Sequence, residues 1–233
     1  MVWPKHGELV ITRIFVDNFR TLVNFEWKPG KLALLLGENG SGKSSVVDAL
    51  WGIRAFFAHQ GELRRWFPAV SRAQDFDGAM RATQALKEAL DGFKALQVSR
   101  TAPKLEATFL LEDNREYAVD FSDLSDGQRQ LCGLYVLRHA VLKPGRLVIF
   151  DEPDNYIALR EVQPWLSELT DLALSDSGPQ AWFISHHPEL LNQLAPDHGT
   201  RFFRGRGPTR IEPFNGTEGL TAAETVARGW AGE

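Results

Sequence analysis

Residues 37–44 read Gly-Glu-Asn-Gly-Ser-Gly-Lys-Ser and fill every fixed position of the phosphate-loop pattern G-x-x-x-x-G-K-[ST]. Gly37, Gly40 and Gly42 allow the backbone to curl until successive N–H groups point inward at phosphate oxygens, so that Glu38, Asn39 and Ser41 join the cradle. The helix opening at Ser45 adds the positive end of its dipole. Lys43 brings a point charge to the β- and γ-phosphates. Ser44 offers a hydroxyl to Mg²⁺, a hard ion that keeps most of its waters and takes few protein ligands. A second group stands at 147–153, Leu-Val-Ile-Phe-Asp-Glu-Pro, where four apolar residues end in two carboxylates. A carboxylate pair at the C-terminal edge of a buried strand sits where open α/β sheets bind ligands. Asp151 suits the Mg²⁺ shell, and Glu152 suits orienting or deprotonating an attacking water. These residue types together call for a nucleoside triphosphate.

The surrounding pattern supplies elements to hold them. Leu9–Phe15 and Leu22–Trp27 read as strands, and Pro29-Gly30 turns the chain into the buried strand Lys31–Leu36 ahead of the loop. A helix of about four turns follows over Ser45–Ala55. From about Gly61 to Ala102 the pattern is helical again, with Ala82, Ala85, Leu86, Ala89, Leu90 and Phe93 giving three- and four-residue spacing across Ala79–Leu96. Strands Lys104–Leu111 and Glu116–Phe121 come next, then helix Gln128–Leu142, strand Arg146–Phe150, helix Glu161–Leu174, strand Gln180–Ile184 and a short helix Pro188–Leu194. Apolar strands alternating with helices predict a largely parallel sheet covered on both faces. The expected fold is α/β of the P-loop type, with antiparallel strands at the N-terminus. We expect one domain over 1–233, with a small helical lobe at 56–103, a second half at 121–200 and a tail at 201–233. In the tail, Arg201, Arg204, Arg206 and Arg210 read as the charged edge of a terminal hairpin.

The chain of 233 residues is 43% hydrophobic, enough for one substantial core. Its single cysteine, Cys132, excludes an internal disulfide framework and falls in a helical pattern as a small hydrophobe. The start lacks the apolar stretch of a signal peptide, and no run approaches the roughly 18 residues of a membrane span. A cytoplasmic location without membrane insertion is expected. The net charge of −4 is unevenly spread, +4 over 52–104 and −10 over 105–200. The basic stretch interleaves Arg54, Arg64 and Arg65 with Trp51, Phe56 and Trp66, a composition shared by nucleic-acid contacts and by ordinary solvated helix faces.

Two more segments complete a set. Leu124-Ser125-Asp126-Gly127-Gln128 precedes a helix, and Ser185-His186 ends the strand around Trp182–Ile184. With the phosphate loop and Phe150-Asp151-Glu152-Pro153 they resemble, in order, the Walker A, signature, Walker B and switch histidine of ABC-type ATPases. The opening from Ile11 through Asn18-Phe19-Arg20 to the loop looks like the SMC, Rad50, RecF and OLD-like branch. The resemblance spans residues 9–195. It implies a compact AAA-type ATP-binding head without coiled coil, using ATP and Mg²⁺ and forming an ATP-dependent homodimer. Each ATP would lie between one subunit's phosphate loop and the other's signature, where Ser125, Asp126 and the N–H groups of Gly127 and Gln128 open a helix toward the γ-phosphate. His186 would touch that phosphate beside the catalytic Glu152, Arg20 would approach the phosphates, and Gln60 is the candidate for the Q-loop on the metal side.

The sequence departs from the family pattern at two places. Asp126 replaces the second glycine of LSGGQ and adds a negative charge near a phosphate site. Ala158 falls where the D-loop aspartate would align, with Asp154 and Asn155 as nearby substitutes. The expected function is an ATPase switch that gates a separate effector, nuclease-like, or nucleic acid such as DNA, in DNA repair or phage defence. The alternative is the nucleotide-binding subunit of a membrane transporter. A GTPase or phosphate-loop kinase would leave the signature unexplained, and no guanine-reading N-K-x-D occurs.

Overall fold

The first two strands are short: β1 (Ile14–Val16) and β2 (Phe25–Trp27) pair antiparallel, with Ile14 opposite Trp27. The next, β3 (Leu32–Leu36), is apolar and buried at all five positions, as a strand covered on both faces must be. It runs into the phosphate loop and then α1 (Lys43–Phe57). The computed structural model describes residues 11–57, 76–98, 105–154 and 157–229. Within it the chain divides into two compact units.

The first unit comprises residues 1–65, 143–153 and 170–233. Its sheet also contains β7 (Leu147–Asp151), β8 (Gln180–Ile184), β9 (Gly199–Phe203) and β10 (Arg210–Pro213), in the order β10-β9-β3-β8-β7. The strands β7, β8, β3 and β9 are mutually parallel, and β10 returns antiparallel along β9. The 201–233 tail thus begins inside the sheet. One face carries Ala33, Leu35, Trp182, Ile184 and Phe202 against Ile14, Leu22, Phe25 and Trp27. Trp27 lies 4.8 Å from Trp182 and 5.7 Å, edge on, from Phe202, so the antiparallel N-terminal pair is fixed by aromatic packing. Gln180, buried, accepts from the Ile11 N–H at 2.9 Å and donates to the carbonyls of Ile11 and Gly30, satisfying backbone groups that lie outside the strands. The helix α5 (Pro188–His198) packs on β3 and β9, and α6 (Ala222–Ala227) packs on α5.

The second unit comprises residues 66–142 and 154–169. It holds α2 (Phe76–Ala89), an antiparallel sheet of β4 (Phe93–Val98), β5 (Leu105–Leu110) and β6 (Glu116–Asp120), then α3 (Asp126–Val136), which passes into a π-helical turn at Leu137–Val141. The greater part of α4 (Leu159–Leu174) also belongs here, and its buried Trp165 donates from Nε1 to the Leu134 carbonyl at 3.0 Å. The helix expected over Ala79–Leu96 is corrected: it stops at Ala89. Gly92 adopts φ 71°, the Phe93 N–H bonds the Leu90 carbonyl, and the chain leaves as a strand. Phe93 keeps its predicted burial, though it packs edge-on to Phe109 of β5 at 5.8 Å and not on a helix neighbour. The lobe is therefore mixed. Among the described residues, no helix is long and apolar enough to cross a membrane.

Candidate functional site

Local backbone geometry builds the phosphate loop before any side chain is considered. Gly37 has φ 140°, and a Cβ there would lie 2.1 Å from the Phe202 carbonyl oxygen of β9. Gly42 has φ 106°, and its Cβ would lie 2.2 Å from Thr209 Oγ1. Only glycine fits either place. The loop is underpinned from outside the motif: the fully buried Thr209 donates its N–H to the Thr21 carbonyl at 2.9 Å and its hydroxyl to the Ser41 carbonyl at 3.0 Å. Its hydroxyl also lies 2.8 Å from that of Thr21, which reaches Ser45 Oγ at 3.4 Å.

Lys43 is buried and folds back over the loop, donating to the carbonyls of Gly37 at 2.6 Å and Glu38 at 3.1 Å. Burial lowers its pKa, and the carboxylates of Glu152 and Asp151 act in the opposite direction. Ser41 Oγ is buried with no hydrogen-bond partner among the described residues, a cost that a bound anion would remove.

Strand register delivers the acidic pair. Asp151, the last residue of β7, stands opposite Ile184 of β8, and the Glu152 N–H bonds the Ile184 carbonyl at 2.8 Å. Glu152 has φ 51°, a left-handed backbone uncommon for a glutamate. One residue past Ser185, His186 brings Nε2 to 3.9 Å from Glu152 Oε1. His187 does different work: it is the N-cap of α5, its Nδ1 accepting from the Glu189 N–H at 3.2 Å.

A cavity of about 290 Å³ joins these parts, lined by loop residues 39–45 together with Asp151, Glu152 and His186, and by Thr21 and Arg204. Its donors suit a triphosphate with Mg²⁺. The loop amides, the orphaned Ser41 hydroxyl and Lys43 suit phosphate oxygens, and the Ser44 hydroxyl with Asp151 would supply the few hard oxygen ligands Mg²⁺ takes from protein. When bound, the metal would neutralise phosphate charge. Glu152 and His186 would then be left to hold and orient a water.

Other expected residues are placed elsewhere. Arg20, at φ 52° in the turn where Phe19 and Leu22 bond each other, pairs with Asp48 of α1 and is not in the cavity wall; its neighbour Thr21 is. Gln60 and Asn155 lie outside the described residues. Ser125, Asp126, Gly127 and Gln128 belong to the second unit. There Ser125 is the N-cap of α3, its Oγ accepting from the Gln128 N–H at 3.2 Å while Gln128 Oε1 accepts from the Ser125 N–H at 3.1 Å. Asp126 pairs with Arg129 one turn on, so its charge is countered within its own helix. Asp154 is buried, and Ala158 opens α4 with the Glu161 carboxylate accepting from its N–H. Thr21, Arg204 and Thr209 were not expected at the site. The sequence pattern places Arg204 only on a charged edge, and no motif signals the Thr209–Ser41 contact, made across 168 residues.

A family profile described as "AAA domain, putative AbiEii toxin, Type IV TA system" matches residues 68–192, more than half the chain. The chain belongs to this AAA-domain family. The matched span carries the signature, Asp151-Glu152 and His186, whereas the phosphate loop lies outside it and stands on its own geometry. The molybdate import ATP-binding protein MolC of Haemophilus influenzae is 28% identical over 180 residues, covering 74% of this chain and 68% of that protein. The xylose import ATP-binding protein XylG of Ralstonia nicotianae is 27% identical over 74% of this chain, which spans only 37% of that protein. The SMC head domain from Thermotoga maritima shares the fold, with a TM-score of 0.55 at 15% identity over 88% of this chain and 99% of that one. At this level the chain is an ATP-binding ATPase of the ABC type.

Proposed function

We propose that this ATPase is a switch of the SMC- and OLD-like kind, which closes head to tail around ATP and Mg²⁺ and gates a separate effector or DNA. One observation carries the reading: a single cavity gathers Lys43, Ser44, Asp151, Glu152 and His186 from the ends of three neighbouring strands. Glu152 accepts the water's proton, His186 orients the water, and Asp151 with Ser44 holds the metal. A helix start capped by Ser125 offers its free amides to the nucleotide of a second copy. The toxin and toxin–antitoxin terms in the family description favour a defence role over repair.

Size-exclusion chromatography of wild type and Glu152→Gln with ATP and Mg²⁺, with and without duplex DNA, tests this. The glutamine variant should dimerise on ATP, and Ser125→Arg should stay monomeric while still binding nucleotide. Mixing Ser125→Arg with Lys43→Ala should restore activity, because each mixed dimer has one complete site. No recovery at any ratio, with an ATP-loaded Glu152→Gln that remains monomeric, would sink the homodimer. A transporter subunit is the second reading, since MolC and XylG are import ATP-binding proteins. A neighbouring reading frame encoding a membrane-spanning protein and not a nuclease-like one would favour it.

A further inference from the structure

We propose that Arg204, on the turn between β9 and β10, is a second phosphate-binding cation of the cavity, supplied in cis by the C-terminal hairpin. The inference deepens the phosphate-loop reading and rests on it. β9 runs parallel to β3 with Arg201 opposite Leu36, so the chain leaving Phe203 emerges at the end of the sheet where the loop begins. Arg204 lines the cavity there. The return arm is fastened to the loop by Thr209, whose side chain fills the space above Gly42. The turn is thus held at both ends, by a strand pairing and by a threonine wedge.

The guanidinium itself is oriented. Its Nε donates to the Gly207 carbonyl at 2.8 Å, which leaves Nη1 and Nη2 with no hydrogen-bond partner among the described residues. Two other arginines of the hairpin are committed: Arg201 pairs with Glu212 at 2.8 Å, and Arg210 donates to the carbonyls of Thr209 and Val23. Charge balance also asks for a second cation, because Lys43 shares the cavity with Asp151 and Glu152 and a triphosphate adds several negative charges. A planar fork binds two phosphate oxygens side by side in a fixed geometry, where an ammonium acts as a point charge.

Calorimetry on the full chain decides it, titrating ATP, ADP and inorganic tripolyphosphate into wild type, Arg204→Ala, Arg204→Lys and Lys43→Ala at low and high salt. Arg204→Ala should weaken ATP and tripolyphosphate alike, by about 10- to 100-fold at low salt. The loss should shrink at high salt, and Arg204→Lys should recover part of it, with thermal unfolding unchanged. Wild-type affinity in Arg204→Ala overturns the proposal. So does a loss for ATP without one for tripolyphosphate, which would place Arg204 on the base or ribose. So does a loss that neither salt nor lysine alters, which would make the arginine a support of the turn. If wild type itself binds none of the three, the phosphate-loop reading fails as well.

Discussion

Lys43 is held by its own loop, with its ammonium on the carbonyls of the adjacent residues Gly37 and Glu38. Removing it takes away the buried cation of the loop and the brace of the loop together. Lys43→Ala should therefore bind ATP at least about 100-fold more weakly by calorimetry, a loss that a bystander lysine would not show. Glu152→Gln should bind normally and hydrolyse about 100-fold or more slowly in a phosphate-release assay. Turnover within a few-fold of wild type would move the base elsewhere. Thr209→Val keeps the shape but strips the hydroxyl from the Ser41 carbonyl, and should cost about 1–3 kcal/mol in urea unfolding. The octet at 37–44 and the acidic pair were legible because their chemistry is local in sequence. Thr21, Arg204 and Thr209 were not, because their contribution exists only once the hairpin closes on the loop.

Among the elements, the buried strands were the easiest to read and the lobe the hardest. A run such as Gln180–Ile184 is apolar enough on both faces to declare itself, and its bounds match the sequence expectation. Over 79–96, apolar residues at helical spacing continue past the real helix end, and only Gly92 in its left-handed turn marks the change of period. The π-helical turn at Leu137–Val141 was likewise hidden, since it extends the pattern of α3 without breaking it. That turn carries His139, which stacks on Tyr135 and faces Arg138, Arg81 of α2 and Glu168 of α4. Burial first, then the two arginines, lowers the His139 pKa below its ordinary value. The unfolded chain therefore takes up this proton at a higher pH than the folded one. The stabilisation is complete above the usual histidine range and is lost as pH falls from that range toward the folded value. Thermal melts should show a steeper fall of Tm from pH 7 to 5 in wild type than in His139→Phe, which keeps the ring stack. Parallel slopes would remove His139 from the account.

For the molecule as a whole, a mixed α/β architecture followed from composition and from the alternation of apolar strands with helices. Its division into two units did not, because each unit is assembled from separated stretches of chain. Ser125–Gln128 falls in one unit and the phosphate loop in the other, a partition that no linear motif reports.

The order of the central sheet also sets a timetable for synthesis. β3, the strand that leads into the phosphate loop, has β8 on one side and β9 on the other, and the wedge behind the loop comes 168 residues after Ser41. On the ribosome, Leu32–Leu36 emerges as a bare apolar run with neither of its neighbours yet made, and such distant pairings form slowly. A fragment ending at residue 198 lacks β9, the hairpin and Thr209. It should be aggregation-prone and bind no ATP by filter assay, even though every residue of the eight-residue motif is present. On that expectation, a nonsense codon anywhere before the hairpin should be as silencing as one at the start.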